Sequence, residues 1–323
     1  MARLGVIGAG AWGTALAVLG ARAGHHVLLW ARDPARRAEI RASRRNRRLA
    51  DVRLDSPIDL AEDPSLPGAE VLVLAVPVRH FRPIVHEIIP AGRPLVVAAK
   101  GMETATGLLP HEILSALHPA APNAVLTGPT FAAEIAAGLP AAAVLAASDP
   151  LLRQRLLALL AAPGFRLYGN ADPLGAAIGG AAKNVIAIAA GAVIGAGLGE
   201  NARAALVTRG LAELGRLTVA LGGRLETSFG LSGLGDLVLT CTGRASRNFR
   251  FGFALGCGEA PAAILAGLEG IAEGVATAPA LAARARAAGC EVPIAALVTR
   301  LIGGETTLPA AMEELLSRPP RDE

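Results

Sequence analysis

Two lysines are the residues of this chain whose type and setting point most directly to chemistry. Lys100 and Lys183 are the only lysines among 31 basic residues. Arginine stays charged at any workable pH, whereas a desolvated lysine can release and regain a proton. We therefore expect at least one of them to take part in proton transfer; the alternative is two chance lysines in an arginine-rich chain.

Lys183 is the predicted general acid/base. It lies in a helical pattern of Gly and Ala, whose small side chains allow neighbouring elements to pack closely and to desolvate its amine. Lys100, at the end of a predicted strand, is a second cation that would lower the pKa of this amine towards roughly 7–8. Asn184 adds a neutral donor and acceptor. None of the six histidines has a comparable position.

A polar cluster follows at a predicted helix start and consists of Ser246, Arg247 and Asn248. Arginine, amide and hydroxyl groups beside helix N–H groups form a cradle suited to phosphate. The alternative is a polar loop that only caps the helix. Asp236, shortly before the cluster, is a carboxylate that could orient a lysine or bind substrate hydroxyls.

A glycine pattern near the N-terminus predicts dinucleotide binding. Gly8, Gly10 and Gly13 follow the apolar run 4–7 and open a helical pattern. Such glycines permit a tight turn, close approach of the backbone to a pyrophosphate and close helix–strand packing, while the helix N-terminus faces the anion. A purely structural glycine-rich turn is the weaker alternative.

The cofactor preference depends on the end of the second predicted strand. An acid there would bind the ribose 2′-hydroxyl of NAD, and an arginine would favour the 2′-phosphate of NADP. Arg32 comes before Asp33, so NADP is the preferred prediction and NAD the alternative. The arginines at 44–48 are interpreted as a solvated loop. No aromatic residues interleave with them, which disfavours nucleic-acid binding.

The elements that would position these residues alternate in the first half of the chain. This alternation is typical of a Rossmann-type, doubly wound parallel sheet of the α/β class. The predicted strands are 4–7, 27–30, 71–76, 95–99, 124–126 and 142–146. The predicted helices are 12–23, 34–43, 81–89 and 151–160.

The second half changes character near residue 170. Strand-like runs nearly vanish, and long helical stretches take over at 176–196, 202–221, 245–255, 272–288, 295–302 and 309–316. We therefore predict a dinucleotide-binding domain at 1–172 and an all-helical substrate-binding domain at 173–323.

Composition narrows the class of protein further. Cys241, Cys257 and Cys290 share no metal-ligand spacing, so no metal site is expected, and their odd number favours a reducing cytoplasm. A net charge of +4 suits an anionic small molecule or a nucleic acid and does not by itself choose between them. The apolar span 174–198 could cross a membrane by length, but it contains Lys183, so a buried helix is preferred over membrane insertion.

Together these segments resemble the bacterial NAD(P)-dependent glycerol-3-phosphate dehydrogenase family over nearly the whole chain. The combination of GPTFAxE, KNVIAI and GLGDLxxTC…SRN is the most specific part of the resemblance. The matching segments are 8–16, 29–34, 99–101, 127–132, 180–188, 233–237, 240–242, 246–248 and 269–274.

The resemblance implies reversible reduction of dihydroxyacetone phosphate to sn-glycerol 3-phosphate, a precursor of phospholipids. It implies that Lys183 is the proton donor and acceptor. It also implies substrate contacts from Lys100, Gly128, Thr130, Lys183, Asp236, Ser246, Arg247 and Asn248. The implied dinucleotide contacts are Gly8, Gly10, Ala11, Trp12, Gly13, Arg32, Lys100, Ala132, Arg247, Ile271 and Glu273.

The chain departs from the family pattern at two places. Val78 follows Val76-Pro77 where many members have serine, and the segment 46–51 replaces the usual Asn-x-x-Tyr/Phe-Leu-Pro. Both departures bear on the cofactor preference more than on the reaction.

The alternatives are a ketopantoate reductase or β-hydroxyacid dehydrogenase, a non-catalytic NADP sensor, and a membrane protein. A homodimer is expected because several helices are apolar. Feedback regulation and physiological direction are not predicted.

Overall fold

Eight strands form one sheet in the first part of the chain, in the order β3-β2-β1-β4-β5-β6-β7-β8. The structure is a computed structural model that describes residues 1–54, 57–88, 92–267, 270 and 272–317. The strands are β1 (Arg3–Ile7), β2 (His26–Trp30), β3 (Ile58–Ala61), β4 (Val71–Leu74), β5 (Leu95–Val97), β6 (Asn123–Thr127), β7 (Ala141–Ala146) and β8 (Phe165–Asn170).

The helices between these strands are short. They are α1 (Ala11–Arg22), α2 (Pro34–Ser43), α3 (Phe81–Glu87), α4 (Pro110–Leu117), α5 (Ala132–Ala137) and α6 (Pro150–Leu160). The start of α2 agrees with the predicted helix 34–43, and α6 begins one residue before the predicted 151–160. At both starts an aspartate, Asp33 or Asp149, accepts a backbone N–H bond and a proline follows it. Residue 89, the last of the predicted helix 81–89, lies outside the described residues.

The order of the strands places the end of β1 at the centre of the sheet. Ile7 is paired with Trp30 of β2 on one side and with Leu74 of β4 on the other. All of β4 is buried, which agrees with a parallel sheet covered on both faces. Ligands of such sheets bind beyond the carboxyl ends of the strands, where the order reverses.

The predicted doubly wound α/β sheet is confirmed, but one pair of neighbouring strands is antiparallel. The pairs from β3 through to β6 are parallel, whereas β7 runs against β6 and is itself parallel to β8. The link from β6 to β7 holds only the two-turn helix α5, which packs against α1.

Two strands and two helices of this part were not predicted. The strands β3 and β8 lie at the two edges of the sheet. β3 alternates in burial and β8 buries only Phe165, so neither has a continuous apolar run. The helices α4 and α5 have only 8 and 6 residues, too few for a clear period.

Helices make up the second part of the chain, and no strand occurs among its described residues. They are α7 (Pro173–Gly195), α8 (Gly199–Ala220), α9 (Leu225–Phe229), α10 (Asp236–Cys241), α11 (Arg247–Gly256), α12 (Pro261–Gly267), α13 (Glu273–Ala287), α14 (Pro293–Ile302) and α15 (Leu308–Leu316). A π-helical turn, Leu231–Gly235, leads into α10. The sequence analysis missed α9, α10 and α12, which are short.

Contacts divide the chain into two compact units. The first consists of residues 1–100 and 108–177, and the second of residues 101–107 and 178–323. The short segment after Lys100 therefore packs with the helices, and Arg284 of α13 donates to the carbonyl of Gly107 at 3.0 Å.

The backbones of α7 and α11 touch. A Cβ built on Gly191 would lie 2.1 Å from the carbonyl oxygen of Phe249, and one on Gly252 would lie 1.9 Å from that of Ile188. Only glycine fits at these two crossings. The close approach brings the start of α11 beside the part of α7 that carries Lys183.

The helix α7 is long and apolar enough to cross a membrane, but it is a core helix of this protein. Of its most apolar 18-residue window, 94% is buried inside the structure. An apolar surface on all sides is expected for a helix that its neighbours surround.

Candidate active site

The glycine-rich turn between β1 and α1 has the geometry that its spacing predicts. Gly8 has φ +110°, in the left-handed region, and donates its N–H to the carbonyl of Trp30 at 2.9 Å. A Cβ on Gly13 would lie 1.8 Å from the carbonyl oxygen of Gly8. The turn therefore tolerates no side chain at position 13, where helix and turn are in contact.

The start of α1 is open. Gly10 is the N-cap of this helix and no atom lies within 4 Å of the place where its Cβ would be. The first N–H groups of a helix lack partners within it, and Ala11 and Trp12 are only half-buried. Space and donors at one helix N-terminus fit the pyrophosphate of a dinucleotide. The indole Nε1 of Trp12 is buried without a hydrogen-bond partner.

Asn46 supports this turn from behind, a role the sequence analysis did not find. Its side chain is fully buried, and Nδ2 donates to the carbonyl of Ala9 at 3.0 Å and to Oγ1 of Thr14 at 2.7 Å. Arg36 also donates to the carbonyl of Ala9, and to Oδ1 of Asn46, both at 2.7 Å. Burial, followed by Arg48 and Arg47, lowers the pKa of Arg36. The sequence offered one signal for this role, a polar residue in the segment 46–51, where the chain departs from the family pattern.

Arg32 follows the end of β2 and is exposed. Its Nη1 lies 3.3 Å from Nδ1 of His80, and Nε of Arg79 lies 3.1 Å from Nε2 of the same ring. Burial, followed by Arg32 and Arg79, lowers the pKa of His80. Asp33 accepts the N–H of Ala35 at 3.0 Å and so caps α2.

Three of the predicted substrate residues meet beyond the ends of β5 and β6. The ammonium of Lys100 donates to the carbonyl of Gly128 at 2.9 Å, and Oγ1 of Thr130 donates to the same oxygen at 3.1 Å. Gly128 has φ +138°, and a Cβ there would lie 3.0 Å from Cα of Ala143. Ala132 is the first residue of α5 and is half-buried.

Lys183 lies in the interior of the second unit, with 8% of its surface exposed, and its ammonium pairs with the carboxylate of Asp236. Asp236 is fully buried at the start of α10, where Oγ1 of Thr240 donates to its carbonyl at 2.6 Å. A carboxylate partner favours the charged form of an amine. Asp236 therefore favours the ammonium form of Lys183, whereas Lys100 is expected from the sequence to favour the neutral amine.

Asn184 and Asn248 link three helices. Nδ2 of Asn248 donates to Oδ1 of Asn184 at 2.8 Å, and Oδ1 of Asn248 accepts the N–H of Gly274 at 2.9 Å. Asn184 in turn donates to the carbonyl of Gly180 at 3.2 Å. These bonds tie α7, α11 and the start of α13 together beside Lys183.

The other residues of the predicted phosphate cluster differ in their setting. Ser246 is buried and caps α11 by accepting the N–H of Phe249 at 3.2 Å. Arg247 is the first residue of α11 and is exposed. Glu273 begins α13 and is half-buried, whereas Ile271 lies outside the described residues.

Cys241 adjoins the Lys183–Asp236 pair and is fully buried. Burial raises the pKa of this thiol to about 12, although Lys183 and Arg203 act to lower it. The thiol is therefore neutral at physiological pH. Among the described residues, no group of three or more His, Cys, Asp or Glu side chains could hold a metal ion.

Comparisons with known proteins cover both halves of the chain. Residues 3–152 match the family model for the NAD-dependent glycerol-3-phosphate dehydrogenase N-terminus, and residues 172–313 match the model for the C-terminus of the same family. A protein of Acidiphilium cryptum named glycerol-3-phosphate dehydrogenase (NAD(P)+) is 57% identical, over 98% of this chain and 97% of the relative. A protein of the same name from Gluconobacter oxydans is 49% identical, over 99% and 98%.

A solved structure agrees with these relatives. The crystal structure of glycerol-3-phosphate dehydrogenase from Coxiella burnetii superposes with a TM-score of 0.93 at 36% identity, and the match covers 98% of this chain and 99% of the other.

Proposed function

Because this chain belongs to the NAD-dependent glycerol-3-phosphate dehydrogenase family, we propose that Lys183 is the general acid and base of its reaction. The chain is an NAD(P)-dependent oxidoreductase that interconverts dihydroxyacetone phosphate and glycerol 3-phosphate. The reductase, hydroxyacid dehydrogenase and sensor alternatives are thereby set aside. The observation that carries the proposal is a single buried amine held at a fixed place by a buried carboxylate.

Lys183 manages the proton on the C2 oxygen of the substrate. In reduction its ammonium gives a proton to that oxygen as the carbonyl becomes an alcohol, and in oxidation its neutral amine takes the hydroxyl proton. When bound, the nicotinamide supplies or accepts the hydride at C2. Asp236 holds Nζ in place and keeps the charged form accessible inside a buried site.

The remaining substrate contacts are proposed from the charge, hydrogen-bond donors and position of each residue. Lys100 provides positive charge for the C2 oxygen, and it is oriented by the carbonyl of Gly128, next to Thr130. Arg247 is exposed at the start of α11, where a cation and helix N–H groups suit a phosphate. Ser246 shapes this helix start as its cap, and Asn248 fixes the helix against α7.

The dinucleotide is proposed to bind at the turn between β1 and α1. Its pyrophosphate would lie over Gly10, where no atom fills the place of a side chain. NADP is preferred because Arg32 presents an exposed positive charge beyond β2, whereas Asp33 caps α2. The full proposed set is Gly8, Gly10, Ala11, Trp12, Gly13, Arg32, Lys100, Ala132, Arg247, Ile271 and Glu273.

We further propose a cytoplasmic homodimer without membrane insertion that supplies the glycerol backbone of phospholipids. The domain boundary at 172/173 also remains a proposal. It lies at the start of α7, five residues before the point at which the contacts divide the chain.

The assignment of Lys183 is tested by Lys183→Ala and Lys183→Arg. Both should lower kcat for dihydroxyacetone phosphate about 10²- to 10⁴-fold, because arginine keeps the charge but cannot exchange the proton. The NADPH dissociation constant, measured by fluorescence, should change little. A kcat within a few-fold of wild type in either variant would contradict the role.

A control is needed because Lys183→Ala leaves Asp236 buried without its partner. The double variant Lys183→Met/Asp236→Asn removes both charges and should fold as stably as wild type while remaining inactive.

A further inference from the structure

Three basic side chains meet after β2 and β4, the two strands that flank β1, and two of them were not predicted as site residues. Arg32 follows β2, and Arg79 and His80 lie in the 3-10 turn that follows β4. Trp30 and Leu74, near the ends of these strands, are both paired with Ile7 of β1. Arg32, Arg79 and His80 are called the basic triad below.

The triad has more donors than acceptors. The guanidinium of Arg32 faces Nδ1 of His80 at 3.3 Å, and that of Arg79 faces Nε2 at 3.1 Å. A neutral imidazole accepts at one nitrogen only, because the other carries a proton, so one guanidinium meets an N–H group. Among the described residues no carboxylate pairs with any member of the triad. A ligand with several acceptor oxygens would satisfy all three groups.

The position of the basic triad in the sheet indicates which anion would bind there. In a sheet of this order the end of β2 adjoins the adenosine ribose of a dinucleotide bound at the glycine turn. A ribose 2′-phosphate carries close to two negative charges and three acceptor oxygens. Such a group can accept hydrogen bonds from both guanidinium groups and from the N–H group of the imidazole.

We propose that Arg79 and His80 complete, with Arg32, a site for the 2′-phosphate of NADP, and that Arg79 determines the preference for NADP over NAD. This inference rests on the proposed dinucleotide site. It adds two residues of a segment in which the chain departs from its family, directly after Val78. Both are at least partly accessible, Arg79 exposed and His80 half-buried, so a ligand can reach them.

The test is calorimetric titration of the full-length protein with 2′,5′-ADP and, separately, with 5′-AMP, which lacks only the 2′-phosphate. Arg79→Ala should weaken binding of 2′,5′-ADP about tenfold or more, as expected for loss of a charge-assisted hydrogen bond, and should leave 5′-AMP within about twofold. His80→Ala should act in the same direction, and Arg79→Lys should restore part of the affinity.

Arg45→Ala is the matched control, since Arg45 is an exposed arginine of the same unit that donates to the carbonyl of Ala50. It should change neither affinity. If Arg79→Ala weakens both ligands equally, or neither, the inference is wrong. Failure of the proposed function would look different: wild-type protein would then reduce dihydroxyacetone phosphate with neither NADH nor NADPH.

Discussion

Lys183 and Asp236 place a cation and an anion together in the interior of the helical unit, where either charge alone would be costly. The pair is therefore poor evidence for stability and better evidence for a site. Thr240, whose hydroxyl donates to the Asp236 carbonyl and lies 3.5 Å from its Oδ1, completes the surroundings of the carboxylate. The arrangement holds the Lys183 ammonium at a defined position beside a buried carboxylate.

Replacing Asp236 by asparagine should change the pH dependence of the reaction. The variant leaves the ammonium without its carboxylate, so the neutral amine is favoured and the proton leaves at lower pH. In the reduction direction, which needs the ammonium, kcat should therefore begin to fall at a lower pH than in wild type. Steady-state kcat measured from pH 6 to 10 gives the comparison.

Glu200→Gln is the control for this experiment, since Glu200 is an exposed carboxylate of the same unit, paired with Arg203. It should leave the pH profile unchanged. An Asp236→Asn profile that superposes on wild type would show that the carboxylate does not govern the proton of Lys183.

At the scale of elements, the site depends on helices that start or cross at glycines. The turn before α1 brings the backbone of Gly13 against that of Gly8, and α7 meets α11 at Gly191 and Gly252. In both cases a side chain would force backbones apart. The glycine-rich turn belongs to the first unit, and the crossing of α7 with α11 beside Lys183 belongs to the second.

Two alanine substitutions in the turn should separate packing from binding. Gly13→Ala should destabilise the protein by about 2 kcal/mol or more, because its Cβ would overlap the Gly8 carbonyl. Gly10→Ala meets no atom within 4 Å and should cost at most about 1 kcal/mol, as a weaker N-cap.

Gly10→Ala, which should cost little stability, should instead weaken binding of the dinucleotide. Its methyl group would occupy the space proposed for the pyrophosphate, so the NADPH dissociation constant should rise more than about tenfold. Urea denaturation and NADPH titration measure the two effects. Unchanged NADPH affinity in a stable Gly10→Ala protein would argue against the proposed position of the pyrophosphate.

At the scale of the whole molecule, the proposed homodimer would need an apolar surface that the partner chain could cover. In the helical unit exposed apolar side chains occur along the end of α8, along α9 and into α10, with exposures of 37–55%, and are Val219, Leu225, Phe229, Leu234 and Val238. Exposed apolar side chains that gather into one surface mark interfaces more often than free surface. This set agrees with the homodimer proposed above.

Light scattering should therefore give a mass about twice the 32.7 kDa of the chain. Phe229→Asp should lower the mass towards that of one chain, because a charge would be buried in the interface. Leu316→Asp, at another exposed apolar residue, is the control and should leave the dimer intact. A monomeric wild type at micromolar concentration would refute the dimer.

Several features were accessible from the sequence because each depends on residues close together in the chain. The glycines at 8, 10 and 13 define a turn within six residues, and the helical pattern 34–43 coincides with α2. Composition drew attention to Lys100 and Lys183 together, and the Gly and Ala residues around Lys183 then favoured it as the acid/base. Continuous apolar runs gave the central strands, whereas the half-exposed edge strands β3 and β8 gave no such run.

The partners of these residues were decided by the tertiary structure. Lys183 and Asp236 are 53 residues apart in the chain, and Asn184 and Asn248 are 64 apart, yet each pair is in contact. His80, which Arg79 also contacts, meets Arg32 because β2 and β4 lie on either side of β1. Local spacing determines which groups a turn or helix presents. Which distant group each of these residues contacts depends on how the elements pack against one another. In the helical unit, α7 and α11 pack this closely because glycines stand at their points of contact.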